Sequence, residues 1–303
     1  MTHVITGSKG FLGRHLMAAL PGAVGLDLPE CDVLTSHMAA FAESVFGHID
    51  EHKPSTVWHL AALNGSTQGF YDRPWDVLNV QVRGTLNVID ACVANGVKTL
   101  VLFSSSEVYQ SAPVPTPEDV PFSIPDIKNP RFSYALGKQA SEGLAWWSAI
   151  PRVIVCRPHN VVGPGQRPGH VWADIIERID TAERGAIVEV KGDARAERSF
   201  CYIDDFIRGV TMVERHHSGD ERTREIYHIG DKRPVTMAKL ANAIAGALGR
   251  EDVGFQYTSA PPGSPLVRCP DTTKMQALGW GTTVPFTEAL KRTVTAYREA
   301  KGC

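Results

Sequence analysis

Tyr134 and Lys138 stand one helical turn apart in Tyr134-Ala135-Leu136-Gly137-Lys138, a spacing that puts both side chains on one face of a helix. An ammonium beside a phenol stabilises the phenolate and draws the phenol pKa down from about 10. A tyrosine activated in this way is a general base for the proton of an alcohol. By itself the spacing also describes a solvated helix face, so its meaning depends on what else the chain brings to it.

The N-terminus brings a phosphate-binding turn. Thr2-His3-Val4-Ile5-Thr6 reads as a short buried strand that runs into Gly7-Ser8-Lys9-Gly10-Phe11-Leu12-Gly13 and then into a helix ending near Leu20. In such a strand-turn-helix, Gly7 makes the tight turn and Gly10 lets backbone approach a pyrophosphate. Gly13 lets the helix pack close to the sheet, and the helix N-terminus faces the phosphates. A second strand, Ala23-Val24-Gly25-Leu26, ends in Asp27, about 20 residues on, where a carboxylate bonds the adenosine ribose hydroxyls. Its charge repels a 2'-phosphate, so NAD is expected over NADP. Asp27 as a plain loop cap is the alternative.

The elements needed to hold these groups follow an alternation of strands and helices, the pattern of a parallel sheet covered on both faces. After Asp27 the sequence predicts a polar helix near Ser36 to His52, a strand Thr56 to Leu60 ending in Ala61-Ala62, and a helix from Trp75 to Asn95. The apolar strand Thr99 to Phe103 then delivers Ser104-Ser105-Ser106-Glu107 at its C-terminal end, the edge that faces ligands in open α/β sheets. A proline-rich loop from Ala112 to Pro130 is long enough to cover a site. The Tyr134 helix runs to about Ser148 and the next strand is Arg152 to Cys156. From Arg157 onward, prolines and glycines break the pattern, with helices near Trp172 to Glu183, Asp204 to His216 and Met237 to Leu248, and a strand Glu225 to Ile229. The expected fold is α/β: a Rossmann-type doubly wound parallel sheet, residues 1–159 plus about 196–231, with a smaller mixed α/β substrate-binding lobe, about 160–195 plus 232–303.

Composition excludes several classes. The chain has 303 residues, is 43% hydrophobic and 21% charged, and carries a formal net charge of -2, with no basic run to suit nucleic acid or an anionic membrane surface. No apolar stretch is long enough to span a bilayer, and the first residues already belong to a core strand, so a cytoplasmic protein is expected. Cys31, Cys92, Cys156, Cys201, Cys269 and Cys303 lack Cys-x-x-Cys spacing, so no metal site or disulfide framework is expected and the thiols are expected to be reduced and mostly buried.

Taken together these residues resemble the extended short-chain dehydrogenase/reductases, in the branch of nucleotide-sugar epimerases, dehydratases and decarboxylases. The resemblance covers nearly the whole chain. It rests on Gly7-x-x-Gly10-x-x-Gly13, Asp27, His59-Leu60-Ala61-Ala62, Ser104 to Tyr109, Tyr134-x-x-x-Lys138, Arg157 to Pro164 and Arg198 to Asp205. It implies that NAD is held by Gly7, Gly10, Phe11, Leu12, Gly13, Asp27, Asp32, Val33, Leu60, Ala61 and Ala62, together with Tyr134 and Lys138. It also implies that hydride leaves a sugar carbon, usually C4, while Tyr134 takes the hydroxyl proton and Ser105 orients the same hydroxyl. Ser105 as a strand-terminal serine satisfied by backbone is the plainer alternative.

Glu107 bears on which activity of that branch the resemblance implies, although some 4-epimerases and 4-ketoreductases that resemble this chain also carry Glu here, so the position alone does not decide. With C4 a ketone, a carboxylate in reach can remove the acidified C5 proton, with Ser106 or a water serving the leaving group; the plainer alternative is that Glu107 bonds the neighbouring backbone. Asn160, Arg198 and Arg268 match positions that contact the nucleotide diphosphate, for which arginine's two-pronged donor is suited. The resemblance therefore implies an NAD-dependent nucleotide-sugar epimerase or dehydratase, with 4-epimerisation first and 4,6-dehydration or glycuronate decarboxylation through Glu107 as alternatives. A net oxidoreductase follows, and a non-catalytic NAD sensor or scaffold is the alternative of another class. Ser8-Lys9, Gln81, Gln110 and Val162 depart from the branch's usual residues and leave the subfamily open. The helices carrying Leu78 to Val93 and Tyr134 to Trp147 resemble those that pair in homodimeric relatives, with Trp146 and Trp147 adding apolar area.

Overall fold

The computed structural model describes residues 2–28, 31–34, 55–63, 67–110, 112–260 and 263–302. The helix expected near Ser36 to His52 and the thiol of Cys303 lie outside the described residues. The chain forms two units, the first from Met1–Tyr109, Pro121–Pro158 and Ile207–Tyr227, the second from Gln110–Val120, His159–Phe206 and His228–Cys303.

The first unit opens with β1 (His3–Thr6), α1 (Phe11–Ala19), β2 (Val24–Leu26) and β3 (Thr56–His59). Then come α2 (Thr67–Asp72), α3 (Pro74–Asn79), α4 (Thr85–Ala94), β4 (Thr99–Phe103), α5 (Phe132–Trp146) and β5 (Arg152–Pro158). β1 pairs in parallel with β2 and β3, β3 with β4, and β4 with β5, in registers such as Val57 with Leu100 and Leu100 with Val153. A parallel sheet covered on both faces needs near-continuous apolar strands, and every residue of β3 and β4 is buried. Val4, Val57, Leu100, Leu102, Val153 and Val155 form one packed layer with Val88, Ile89 and Cys92 of α4 and Ala145 of α5. Each of the valine, leucine and isoleucine side chains contributes about 1.5–3 kcal/mol by leaving water.

Two differences from what the periodicity predicts bear on the site. The helix expected from Trp75 to Asn95 is divided into α3 and α4 by a π-helical turn over Val80–Gly84. The turn widens where α5 crosses: a Cβ on Gly137 would lie 2.7 Å from Cβ of Gln81, and the apolar repeat does not register the extra residue that such a turn inserts. β5 continues through Arg157 to Pro158, beyond the expected end at Cys156, because Arg157 is held among buried partners described below.

From there the chain continues through β6 (Val161–Val162), α6 (Val171–Thr181), β7 (Ile187–Val190), β8 (Glu197–Ser199), β9 (Cys201–Tyr202), α7 (Ile203–His216) and β10 (Thr223–Ile229). It ends with β11 (Pro234–Thr236), α8 (Met237–Leu248), β12 (Gly254–Tyr257), β13 (Val267–Arg268), α9 (Thr273–Ala277) and α10 (Phe286–Lys301). β10 joins the large sheet, whose strand order is β10-β5-β4-β3-β1-β2. The second unit holds small sheets, β11-β8-β13 and β12-β7 among them. Gln110–Val120, part of the proline-rich stretch, is tied into this unit by the Thr116–Pro270 bridge and by Glu118, which accepts the His228 amide at 3.0 Å. Buried Asp205 accepts from the Thr283 amide and hydroxyl and the Val284 amide at 2.9, 2.7 and 2.9 Å, which fixes the segment leading into α10. Among the described residues, Cys31, Cys92, Cys156, Cys201 and Cys269 are buried and not disulfide-bonded. No described helix is long and apolar enough to cross a membrane.

Candidate active site

The turn after β1 has the shape its glycines predict. Gly7 has φ +72°, and a Cβ there would lie 2.7 Å from the Ala61 amide nitrogen. A Cβ on Gly13 would lie 2.1 Å from the Gly7 carbonyl oxygen, so α1 packs on the turn only with glycine at that position. The sheet order reverses at β1, between β2 and β3, which is where open α/β sheets leave a crevice for a nucleotide. Leu60, Ala61 and Ala62 follow β3 directly, and Ala61 donates its amide to Thr6 Oγ1 at 3.2 Å. Phe11 and Leu12 begin α1, with Phe11 edge-on to His15 at 5.5 Å. These residues form a cradle that a side chain would fill, and they fit a dinucleotide.

Asp27 closes the far side of the turn. Its carboxylate accepts from the amides of Lys9 at 2.6 Å and Leu28 at 2.9 Å. The capping role weighed from sequence is therefore real, and it places the carboxylate against the glycine turn. Asp32 accepts the Leu34 amide at 2.9 Å, while the Val33 carbonyl accepts from Asn87 Nδ2 at 2.8 Å. Both are engaged in shaping the loop after β2.

The chemistry-bearing groups gather where β4 ends and α5 begins. The face of α5 that turns inward carries Tyr134, Lys138, Ser141 and Glu142, all buried. Burying a stripe of polar residues has a cost that only their mutual pairing offsets. Tyr134 stacks on Phe70 of α2, ring centroids 5.1 Å apart, and its phenol is hydrogen-bonded to Ser105. Ser105 in turn caps the short 3₁₀ turn Ser106–Val108, its Oγ accepting the Glu107 amide at 3.1 Å. Ser106 is buried in that turn. Lys138 donates from Nζ to the Phe103 carbonyl at 2.7 Å and lies 5.8 Å from the Tyr134 ring centroid.

The electrostatics differ in sign from what the Tyr–Lys spacing predicts. Burial pushes the Tyr134 phenol well above its ordinary range, and Glu107 pushes the same way; the Ser105 hydrogen bond opposes them. Burial also lowers Lys138 to about 8, against the upward pull of Glu142. As held here, Tyr134 is the neutral acid and Lys138 is near its titration point at mildly alkaline pH.

Residues to which sequence reasoning assigned no role hold this arrangement. His59 Nδ1 meets Thr6 Oγ1 at 2.8 Å and its Nε2 meets Thr85 Oγ1 at 3.2 Å; Thr85 donates to Ser141 Oγ at 3.1 Å, and Ser141 to the Gln81 carbonyl at 2.9 Å. Burial, and after it the charge of Lys138, lowers His59 to about 3, so the ring is neutral and pairs as one donor and one acceptor. This chain of bonds ties the end of β1 to the π turn and to α5. Behind Lys138, Glu142 accepts from Arg157 Nε at 2.9 Å and Nη2 at 2.5 Å, and from Ser104 Oγ. Arg157 also donates to the Tyr109 hydroxyl. Glu107 forms an ion pair with Arg131 Nη2 at 3.6 Å, and the Arg131 side chain is 9% exposed. A polar residue recurring every third or fourth position through Glu142 was the available signal; the partners of Glu142 and Glu107 have none in the local sequence.

In the second unit the three expected phosphate contacts gather around β8. Arg198 of β8 and Arg268 of β13 are partners in register on adjacent parallel strands. Asn160, at φ 42°, donates to the Ser199 carbonyl at 3.0 Å. Arg198 donates to the carbonyls of Glu197, Leu266 and Pro265 at 2.8, 3.1 and 2.9 Å, which holds its guanidinium on the 265–266 loop.

Residues 3–230 match the NAD dependent epimerase/dehydratase family. The chain belongs to that family. Among its relatives is a UDP-glucose 4-epimerase of Mycolicibacterium smegmatis, 28% identical with 98% of this chain and 99% of that protein covered. Another is a GDP-6-deoxy-D-mannose reductase of Pseudomonas aeruginosa, 31% identical over 70% of each. The fold matches the crystal structure of Thermus thermophilus UDP-glucose 4-epimerase in complex with NAD, TM-score 0.81, 25% identical, with 99% of this chain and 100% of that one covered. Its relatives in the epimerase/dehydratase family are thus enzymes that modify nucleotide sugars, and they include both an isomerase and a reductase.

Proposed function

We propose that the chain is an NAD-dependent nucleotide-sugar 4-epimerase that works by transient oxidation of C4. The observation that carries this reading is the buried phenol of Tyr134, bonded to Ser105 and flanked by the Lys138 ammonium, in the same unit as a glycine turn shaped for a dinucleotide. Gly7, Gly10, Phe11, Leu12, Gly13, Asp27, Asp32, Val33, Leu60, Ala61 and Ala62 would hold NAD, with Tyr134 and Lys138. When bound, NAD supplies a reversible hydride acceptor for the sugar carbon.

Once ionised, Tyr134 accepts the C4 hydroxyl proton on oxidation and returns it on reduction, and Ser105 keeps that hydroxyl in line. The charge on Lys138 favours the phenolate whenever the proton has passed to or from the phenol. Asn160, Arg198 and Arg268 receive the diphosphate. Glu107 supports a second reading, dehydration or decarboxylation, because its carboxylate acts on the phenol electrostatically; its ion pair with Arg131 favours the first. The same proposal includes a homodimer, supported by exposed Leu86 and Val93 on α4 and by Trp147 after α5, which is 86% exposed.

Incubating the NAD-loaded protein with UDP-, GDP- and dTDP-hexoses and analysing products by mass separates the readings. A new isomer of unchanged mass is the expected result. Loss of water, loss of carbon dioxide or stoichiometric NADH would replace it with dehydration, decarboxylation or net oxidation, and NAD binding with no turnover of any sugar would leave a sensor.

The cofactor preference has its own test. Asp27→Asn removes the charge that repels a 2'-phosphate while keeping one acceptor for the Lys9 amide. The ratio of NADP to NAD affinity, measured by calorimetry, is expected to rise by about tenfold or more, equal to about 1.4 kcal/mol. An unchanged ratio would show that Asp27 only shapes the turn.

A further inference from the structure

Arg131 sits one turn before Tyr134, at the start of α5, and is almost wholly enclosed, 9% exposed. A buried guanidinium is expected to fill its fork with acceptors. This one has the Glu107 carboxylate at 3.6 Å from Nη2, longer than a direct hydrogen bond, and among the described residues its buried Nε has no hydrogen-bond partner. Glu107 is anchored in turn through its amide to Ser105 Oγ, and Ser105 bonds the Tyr134 phenol. A cation with a donor to spare is therefore paired with an anion whose charge acts on the phenol that exchanges a proton with the substrate.

We propose that Glu107 and Arg131 act as one charge-compensated dyad that receives the hydroxymethyl group on the sugar carbon next to the reacting alcohol, and that the dyad selects neutral hexoses over hexuronates. The inference rests on the nucleotide-sugar reading of the site. A hydroxyl is the substituent that serves both members, accepting from Arg131 Nε and donating to the Glu107 carboxylate. A methyl group offers neither bond. A carboxylate accepts from Arg131 but meets the like charge of Glu107 where little water screens it, and leaves the enclosed dyad with an uncompensated negative charge. Arg131 and Glu107 are positioning residues in this role: they decide which sugar lies correctly beneath Tyr134.

The test compares matched pairs, UDP-glucose with UDP-glucuronate and GDP-mannose with GDP-mannuronate, on the full-length NAD-loaded protein. Binding is followed by calorimetry and conversion by chromatography. The unsubstituted protein is expected to prefer the neutral member by more than about tenfold in binding or in kcat/KM. Glu107→Gln leaves Arg131 without its anion and is expected to move that ratio at least tenfold toward the uronate. Arg131→Gln is expected to weaken the neutral sugar and reject the uronate further, with Arg131→Lys restoring part of the loss. Because the readout is a ratio of ligands on one protein, a variant with low absolute activity still reports through binding. A protein that takes the uronate as well as the neutral sugar, or a ratio unmoved by Glu107→Gln, overturns the dyad alone. Failure of both members of both pairs to bind, and of dTDP-glucose and dTDP-glucuronate as well, overturns it together with the nucleotide-sugar reading.

Discussion

Tyr134→Phe is expected to lower turnover of the nucleotide sugar by about 10²–10⁴-fold, the range that a positioned acid–base group contributes. The thermal midpoint should hardly move, because the ring's stacking on Phe70 at 5.1 Å survives the loss of the hydroxyl. The hydroxyl itself is bonded to Ser105 in an enclosed position, so Ser105 loses one partner and the local cost stays near that of one neutral hydrogen bond, about 1 kcal/mol. NAD affinity measured by calorimetry should remain within a few-fold. A variant that turns over sugar at the original rate would remove Tyr134 from the chemistry, whereas one that unfolds would mean the hydroxyl's main role is structural. The unaltered phenol is pushed up by burial, so the reaction needs surroundings that favour its ionised form. Ser105→Ala is for the same reason expected to act on kcat more than on KM, since it removes the hydrogen bond that opposes the upward shift.

Glu142→Gln is the second large expectation, and it reads on stability and on pH together. Glu142 and Arg157 are 5% and 2% exposed and pair at 2.5 Å. Removing one member of a buried pair leaves the other uncompensated, at a cost of about 3–5 kcal/mol. Denaturant unfolding followed by fluorescence should show that loss. Glu142 also pulls Lys138 upward against burial, to about 8. A Lys138 without that carboxylate has a lower pKa. If the ammonium form is the working one, activity falls as pH rises through the lysine pKa, so the alkaline limb of kcat/KM should move to lower pH in the variant. A limb that stays in place while stability falls would show that Glu142 supports the fold without tuning Lys138. Replacing Glu142 by Asp, which keeps the charge, should return much of the limb but less of the stability, because the two-pronged contact with Arg157 depends on reach.

The two expectations differ in how far the sequence announces them. Tyr134 and Lys138 declare themselves by spacing on a helix, and the glycine turn by a spacing that steric rules impose: a Cβ at residue 13 would meet the carbonyl of residue 7 at 2.1 Å. The helices and strands of the first unit were legible for the same reason, since apolar periodicity is a local property and a parallel sheet buried on both faces demands uninterrupted apolar strands. The division of the expected Trp75–Asn95 helix by the π turn at Val80–Gly84 was not legible. It answers to Gly137 on the helix packed beside it, and no local pattern encodes a neighbour from a distant part of the chain.

By itself the sequence determined the kinds of element, the glycine turn and the family, and it pointed to the groups proposed to touch the substrate, because each is written in the residues of one short segment. Only the tertiary structure decided which charges meet. Glu107 faces Arg131, Glu142 faces Arg157, and His59 joins Thr6 to Thr85, across separations that periodicity does not span. It also decided the direction of the Tyr134 shift: a lysine one turn away predicts a lowered phenol, but enclosure withdraws the water that would stabilise the phenolate, and that loss, with Glu107 adding to it, outweighs the Ser105 hydrogen bond.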